Sequence, residues 1–484
     1  MILRTRCLAI LGISLLSGIV ACGQPEQITQ SEKPNVLFIA IDDMNDWTTL
    51  FDPDNPIKTP NLERLAARGT FFSRAYCAAP GCNPSRAALM TGLRPTTSGV
   101  YRNGDPWRVI APDAVTITQH FMQNGYDAKG AGKIFHHGKS GADNPTDPSF
   151  QDYFTMLKTR APDPNYNGYT MEDERHLGRT AWDWGEHTQK MIDFDTVEWI
   201  EDRMDEKWDK PMFLAAGIFK PHLPFYAPPE TFLRYPMKNT QLPPMPENDL
   251  DDVSDIAKEM AHTEYFIYEN TTAQPEGSVG SLKRMVQCYQ ASADFADQMV
   301  GRLLDKLDAT GKADNTIIVL WADHGYHLGD KEACVKFTLW EKANRVPFIV
   351  VAPGVTEPGT RCDTPVGLID IYPTLADLAG LPARPELDGQ SLVPLLNNPD
   401  AEWEKPALMT WLKGNHAVRS QRWRYIRYND GSEELYDHEN DPWEWTNLAG
   451  QAKYGDVIAE HKKWLPKNEA DVRDDVIIPD AWMK

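Results

Sequence analysis

Apolar positions along the chain fall into two main textures. Residues 36–41 (VLFIAI) form an unbroken apolar run that ends abruptly in Asp42 and Asp43. A run without alternation suits a strand covered by helices on both faces, because neither face meets water. Residues 211–218 (PMFLAAGI), 316–321 (TIIVLW) and the stretch VPFIVVAPG at 346–354 repeat the texture, and the run at 316–321 again closes on an acid, Asp323. The second texture has a period near 3.6. Over residues 281–308 it places Tyr289, Ala293, Ala296, Val300, Leu303 and Leu307 on one side, which predicts a long helix packed on the sheet. Shorter helical patterns lie at 61–68, after Ser85 and at 117–124, with an amphipathic stretch at 194–204. Strand and helix alternating in this way predict an α/β fold, a large mainly parallel sheet sandwiched by helices.

The texture changes after Pro394. A turn-rich LLNNPDAEWEKPA gives way to HAVRSQRWRYIRY, which reads as short alternating strands. The division expected is a catalytic domain at 34–400 and a small C-terminal subdomain with an antiparallel sheet at 401–484. Residues 138–183 are rich in Asp, Pro, Asn and Gly and read as a long surface excursion.

The N-terminus follows different rules. Arg4 and Arg6 precede an apolar run at 8–21 that is short for a bilayer span, the pattern of a signal peptide. The run ends in GIVACGQ, which resembles a bacterial lipoprotein box with Cys22 as the lipidated residue. Residues 1–22 are thus expected to be a signal peptide and 23–33 a polar tether. The product would be exported, periplasmic or at the cell surface, with Cys22 its one link to a membrane.

Composition narrows the rest. With 484 residues, 41% of them hydrophobic, the chain can bury a large core, and its formal charge of −21 disfavours nucleic acid and anionic lipid as partners. Beyond Cys7 and Cys22, five cysteines remain at irregular spacing: Cys77, Cys82, Cys288, Cys334 and Cys362. An odd number without a Cys-x-x-Cys pair is neither a disulfide framework nor a zinc site.

Ligands of open α/β sheets bind beyond the carboxyl ends of the strands, where Asp42, Asp43, Asp323 and His324 fall. Three carboxylates and an imidazole converging there would need a cation, and oxygen-rich ligation points to a hard divalent ion, calcium first and magnesium second. Taken singly, each pair also reads as a solvated loop after a strand. GCNPSRAALMTG then sets Cys82 four residues before Arg86 at an apparent helix start. Such a place favours anions and lowers a thiol pKa, so Cys82 reads either as a thiolate nucleophile or as a small buried residue. Spacing alone does not choose.

Cys82-Asn83-Pro84-Ser85-Arg86, continuing to Thr91-Gly92, matches the signature of the type I sulfatases, in which the cysteine is oxidised to formylglycine. The resemblance runs from about Pro34 to ELYDHENDPWEWTNLA. With GKIFHHG, FKPHLPF, ADHGYHLG and WRV after Tyr101, the chain looks closest to the iduronate-2-sulfatase branch. It implies an alkaline phosphatase-like fold and a sulfuric ester hydrolase acting on a sulfated saccharide, matured by a formylglycine-generating enzyme. As a hydrated aldehyde, residue 82 would offer one hydroxyl to attack sulfur and another to expel sulfate. By the same resemblance Asp42, Asp43, Asp323 and His324 would ligate calcium, together with a hydroxyl at position 82. Many relatives carry asparagine where His324 stands. Arg86 would stabilise the formylglycine, Lys133 would contact it, and His136 would be the base that deprotonates the second hydroxyl. His222 would protonate the departing sugar oxygen, and Lys336 would hold the sulfate. His137 and His327 match no family role. Tyr101, Trp107 and Arg108 are placed where a loop could line the entrance for an anionic saccharide, with core packing as the other reading of the same residues. Two other functions keep the motif: a phosphonate monoester or phosphodiester hydrolase on the same fold, and an inactive lipoprotein that binds sulfated glycan.

Overall fold

The computed structural model describes residues 33–136, 147–155, 184–188 and 190–474. The signal, the tether, Cys22 and His137 lie outside the described residues, as does most of the 138–183 stretch.

An eight-stranded sheet forms the centre. Its order is Thr360–Cys362, Thr70–Phe72, Phe348–Val351, Thr316–Ala322, Asn35–Asp42, Met212–Pro221, Asp127–Gly132 and Asp152–Phe154. Phe348–Val351 runs against its neighbours, and the remaining pairs are parallel. The continuous apolar runs behave as their texture predicts: every residue of Met212–Pro221 and Thr316–Ala322 is buried, as is Asn35–Asp42 after its first residue. Asp152–Phe154 corrects one expectation. Within the stretch read as a surface excursion, these three residues form the edge strand beside Asp127–Gly132.

Two groups of helices sandwich the sheet. Leu282–Ala309, Ile192–Asp205 and Pro60–Ala66 pack together on one side, and Cys82–Thr91, Ile117–Gln123 and Ile371–Leu378 form the other group. The 28-residue helix starts where Ser281 caps the Arg284 N–H, and Ile117–Gln123 starts on a capping box between Thr116 and Gln119.

Ala407–Thr410, His416–Arg419, Trp423–Arg427 and Glu433–Asp437 form a four-stranded antiparallel meander. It shares a hydrophobic cluster with Tyr76, Val335, Leu339 and Trp340, so this sheet packs onto the segment that follows Thr316–Ala322. No helix among the described residues is long and apolar enough to cross a membrane.

Candidate active site

Four consecutive strands of the large sheet deliver side chains to one place. Asn35–Asp42 ends in Asp42 and Asp43; Thr316–Ala322 is followed by Asp323 and His324, Met212–Pro221 by His222 and Asp127–Gly132 by Lys133. Local irregularities aim them. The ladder shifts register between Ile41 and Asp42, and Asp43 adopts a positive φ of 61°, turning consecutive carboxylates toward the same space. At Gly132, φ +76°, a Cβ would sit 2.1 Å from the Gly217 carbonyl oxygen. Only a residue without a side chain lets the chain carry Lys133 across the neighbouring strand.

The fifth contribution is the Cys82–Thr91 helix, all ten residues of which are buried. Around the Cys82 Sγ stand Lys336 Nζ at 3.1 Å, His324 Nε2 at 3.2 Å, Asp42 Oδ1 at 3.6 Å and Lys133 Nζ at 3.7 Å. Arg86, one turn on, is completely buried. Its Nε donates to Asp323 Oδ2 at 2.7 Å, its Nη1 donates to the carbonyls of Lys133 and Ile134, and its Nη2 lies 3.4 Å from Asp42 Oδ1. Lys133 donates to Asp42, and Lys336 donates to Asp43 at 2.7 Å.

The electrostatics separate the two readings of Cys82. Burial pushes its thiol up to about 12 even though Lys133 and Lys336 pull the other way. It is therefore protonated at neutral pH, and the thiolate expected of a helix start does not form. Desolvation of a fully enclosed sulfur outweighs the nearby positive charge.

The acids respond to burial differently. Burial opposes ionisation of Asp42, but Lys133, His222, Arg86 and Lys336 together outweigh it and hold the carboxyl well below the usual range. Burial raises Asp43, with Asp42 adding to the effect, and burial pushes Asp323 up to about 6 against the pull of Arg86. Lys336 is charged: its burial is outweighed by the carboxylates of Asp43 and Asp42.

The donor set fits a cation. Ligand atoms of Asp42, Cys82, Asp323 and His324 all lie within 4.8 Å of one another, and Asp42, Asp43, Cys82 and His222 form an overlapping group. His324 is oriented for the task. Its Nδ1 donates to the Gly325 carbonyl at 3.0 Å, which leaves the Nε2 lone pair facing the carboxylates. Burial, helped by Lys336, lowers its pKa to about 3, so the ring stays neutral as a ligand must be.

His222 reaches the cluster as well. Its Nδ1 donates to the Leu223 carbonyl at 2.6 Å, so Nε2 is the other, acceptor nitrogen. Burial and then Lys133 and Lys336 hold its pKa well below the ordinary value. His136 is half-buried on the turn after Lys133. His327 lies apart, held between Asp330 and Thr338.

The loop residues behave differently from the entrance lining expected of them. Tyr101 is buried and its hydroxyl donates to the Ala470 carbonyl; Trp107 is buried and stacks on Phe135 at 5.0 Å. Arg108 covers Trp107 and pairs with Asp147. The structure places these three in packing, the other reading of the same residues, because the 101–105 turn is bonded down onto Asn83.

One contributor escaped the sequence reading. Tyr289, assigned to the apolar stripe of the long helix, donates its hydroxyl to the Asp43 carbonyl at 2.7 Å and accepts from the Asn45 N–H at 3.0 Å. It pins the turn that presents both acids. Its signal was a phenol in a stripe otherwise made of Ala, Val and Leu. Tyr289→Phe leaves two buried backbone groups unpaired, so a destabilisation of about 1–3 kcal/mol is expected. Thermal melts should show it.

Comparisons with known proteins identify the family and the fold. The sulfatase family model matches residues 34–381, and a second model, N-sulphoglucosamine sulphohydrolase C-terminal, matches 329–471. The chain is 36% identical to a sulfatase of Formosa agariphila, covering 97% of this chain and 93% of that protein. It is 31% identical to iduronate 2-sulfatase of Homo sapiens over 78% of this chain and 74% of the relative. Two solved structures share the fold at a TM-score of 0.69 and 22% identity. The phosphonate monoester hydrolase of Agrobacterium radiobacter covers 89% of this chain and 94% of its own. A protein in complex with its substrate D-glucosamine-2-N,6-O-disulfate covers 89% and 96%. From the sheet that gathers these acids and cations to the family model that spans them, the chain belongs to the sulfatase family and is a sulfuric ester hydrolase of alkaline phosphatase-like fold.

Proposed function

We propose that this sulfatase is exported and removes sulfate from a sulfated carbohydrate, a polysaccharide or an oligosaccharide derived from it, using formylglycine at position 82 and calcium. The observation that carries this reading is the surroundings of Cys82. A thiol too basic to act as a thiolate is enclosed by two lysines and a neutral histidine. That environment suits an oxidised residue 82 holding an anionic ester better than it suits a thiol nucleophile. Three carboxylates, Asp42, Asp43 and Asp323, face three cations, Arg86, Lys133 and Lys336. A divalent ion added to this balance leaves surplus positive charge for a sulfate ester.

Asp42, Asp43, Asp323 and His324 would hold the calcium, which supplies screening of the sulfuryl charge and acidifies a hydroxyl at residue 82. The remaining roles belong to the chain itself. Arg86 fixes Asp42 and Asp323 and backs residue 82. Lys133 and Lys336 lie against both the acids and residue 82, so they can pass from carboxylate to sulfate oxygen as the ester enters. Lys336 holds the sulfate, and Lys133 contacts the nucleophile. His136 takes the proton of the second hydroxyl, and His222 protonates the leaving sugar oxygen.

His222 must gain a proton to act as an acid. Burial and two lysines depress its basicity, and an arriving sulfate ester neutralises the lysines and so raises it. His222→Ala should slow alkyl sulfates about 10²–10⁴-fold, the usual worth of a general acid. Activated aryl sulfates, whose leaving groups need no proton, should lose far less. Equal losses on the two ester types would remove His222 from this role.

The substrate class follows the relatives, whose names include iduronate 2-sulfatase. Export with lipidation at Cys22 rests on the N-terminal pattern, and the mass of the mature N-terminal peptide tests it. The 34–400 and 401–484 division is proposed for the domains. The fold is shared with a phosphonate monoester hydrolase, so the ester preference needs its own test.

A further inference from the structure

The four-stranded C-terminal sheet places one aromatic side chain beside the neighbours of Cys82 and Lys336. Trp411 follows the Ala407–Thr410 strand and is buried. Its indole stacks on Phe337 with ring centroids 4.8 Å apart and an interplanar angle of 16°. The same ring lies against Gly81, where an added Cβ would sit 2.6 Å from its Cζ3. Gly81 precedes Cys82, and Phe337 follows Lys336. One indole therefore touches the neighbours of two residues whose reactive ends, Sγ and Nζ, are 3.1 Å apart.

Backbone bonds tie the same pieces together. Phe337 N–H donates to the Pro80 carbonyl at 3.0 Å, and Thr410 N–H donates to the Ala78 carbonyl at 2.9 Å. Further along the segment, Arg424 donates to the Leu339 carbonyl at 2.7 Å and Trp340 Nε1 donates to Glu434 at 2.8 Å. Both partners belong to the C-terminal sheet, which thus grips the backbone just beyond Lys336. A lysine side chain has four flexible carbons, so the direction of its ammonium depends on how firmly its backbone is anchored.

We propose that Trp411 is a positioning residue for Lys336, a spacer that fixes the lysine ammonium relative to residue 82 and so sets the grip on sulfate. The C-terminal sheet then belongs to the anion-binding machinery of the enzyme. The flat indole suits the role, because it fills the space between an unsubstituted Gly81 and the Phe337 ring. A leucine fills less and lets Phe337 and Lys336 shift together. This inference rests on the sulfate-holding role of Lys336.

The test is a double-mutant cycle read through competitive inhibition by inorganic sulfate, on the mature enzyme. Trp411→Leu should raise the sulfate Ki about tenfold or more, since displacements near 1 Å cost that much at a site of this kind. Lys336→Met should raise it as well, and the double variant should be no weaker than Lys336→Met alone, because both act through one contact. Trp411→Phe keeps the stack on Phe337 and should recover most of the grip; it carries the cycle if the leucine variant does not fold. Val418→Ala, in a separate hydrophobic cluster of the same sheet, should lower the melting temperature without moving the Ki.

An unchanged Ki in both Trp411 variants, losses that multiply in the double variant, or an equal rise in Val418→Ala overturns the proposal while leaving Lys336 as the sulfate ligand. An unchanged Ki in Lys336→Met overturns both.

Discussion

Cys82→Ala is expected to abolish sulfate release while leaving the fold intact. The sulfur is enclosed and makes weak contacts with Lys336, His324, Asp42 and Lys133, each of which keeps another partner when it goes. Losing one buried sulfur atom should cost about 1 kcal/mol, a shift in melting temperature below about 4 °C. The chemistry has no substitute. Among the described residues no other side chain occupies the centre of this cluster, and the alanine offers neither a nucleophile nor a residue that can be oxidised. Melts and sulfate release measured on the same preparations separate the two effects, and residual turnover by the alanine variant would place the nucleophile elsewhere.

Removal of calcium is the second large effect. If the proposed calcium is bound, chelation should abolish activity and lower the melting temperature together, because an ion at a hundredfold excess over its Kd would contribute about 2.7 kcal/mol. The pH dependence has a definite sign. Asp323 titrates at about 6 and Asp43 is raised too, so below that pH protons occupy sites the ion needs. A raised carboxyl prefers its proton in the folded chain, so its cost to the ion-free protein is absent at low pH and complete above about 6. The proposed calcium would relieve that cost. Its stabilisation should therefore be full above pH 6 and shrink as the pH falls through that value. Melts at fixed calcium across this range would show it, and a gain independent of pH would contradict the assignment of Asp323. His324, neutral above about 3, does not titrate in this window.

The sequence was most legible where burial is two-sided. Residues 36–41, 211–218 and 316–321 had no polar face to display, and each became a central strand ending at the acids or at His222. Asp127–Gly132 was missed for the opposite reason. It reads DAKGAG, with no β-branched or aromatic residue, and is a strand because its neighbours supply both edges and its glycines allow close approach. The edge strand Asp152–Phe154 was hidden in a polar stretch for a similar reason, since three residues carry too little pattern.

At the site, motifs placed the acids, Arg86 and the lysines, but not their protonation. A helix start and nearby cations argue for a reactive thiolate, and only the depth of Cys82 reverses that. Tyr289 and Trp411 were illegible because each acts through a contact distant in sequence, on Asp43 and on Gly81 and Phe337. Tyr101 and Trp107 show the converse. Their aromatic character suited a sugar, yet the 101–105 turn folds back onto the Cys82 helix and draws them inward.

Sulfate transfer at an oxidised residue 82 is the step on which the proposed function depends. The most direct test measures kcat/KM for matched sulfate and phosphonate monoesters of the same alcohol. The protein should be co-produced with a formylglycine-generating enzyme, and its residue 82 confirmed as formylglycine by peptide mass. A clear preference for the sulfate ester is the predicted result. Faster hydrolysis of the phosphonate by the same modified protein would contradict it.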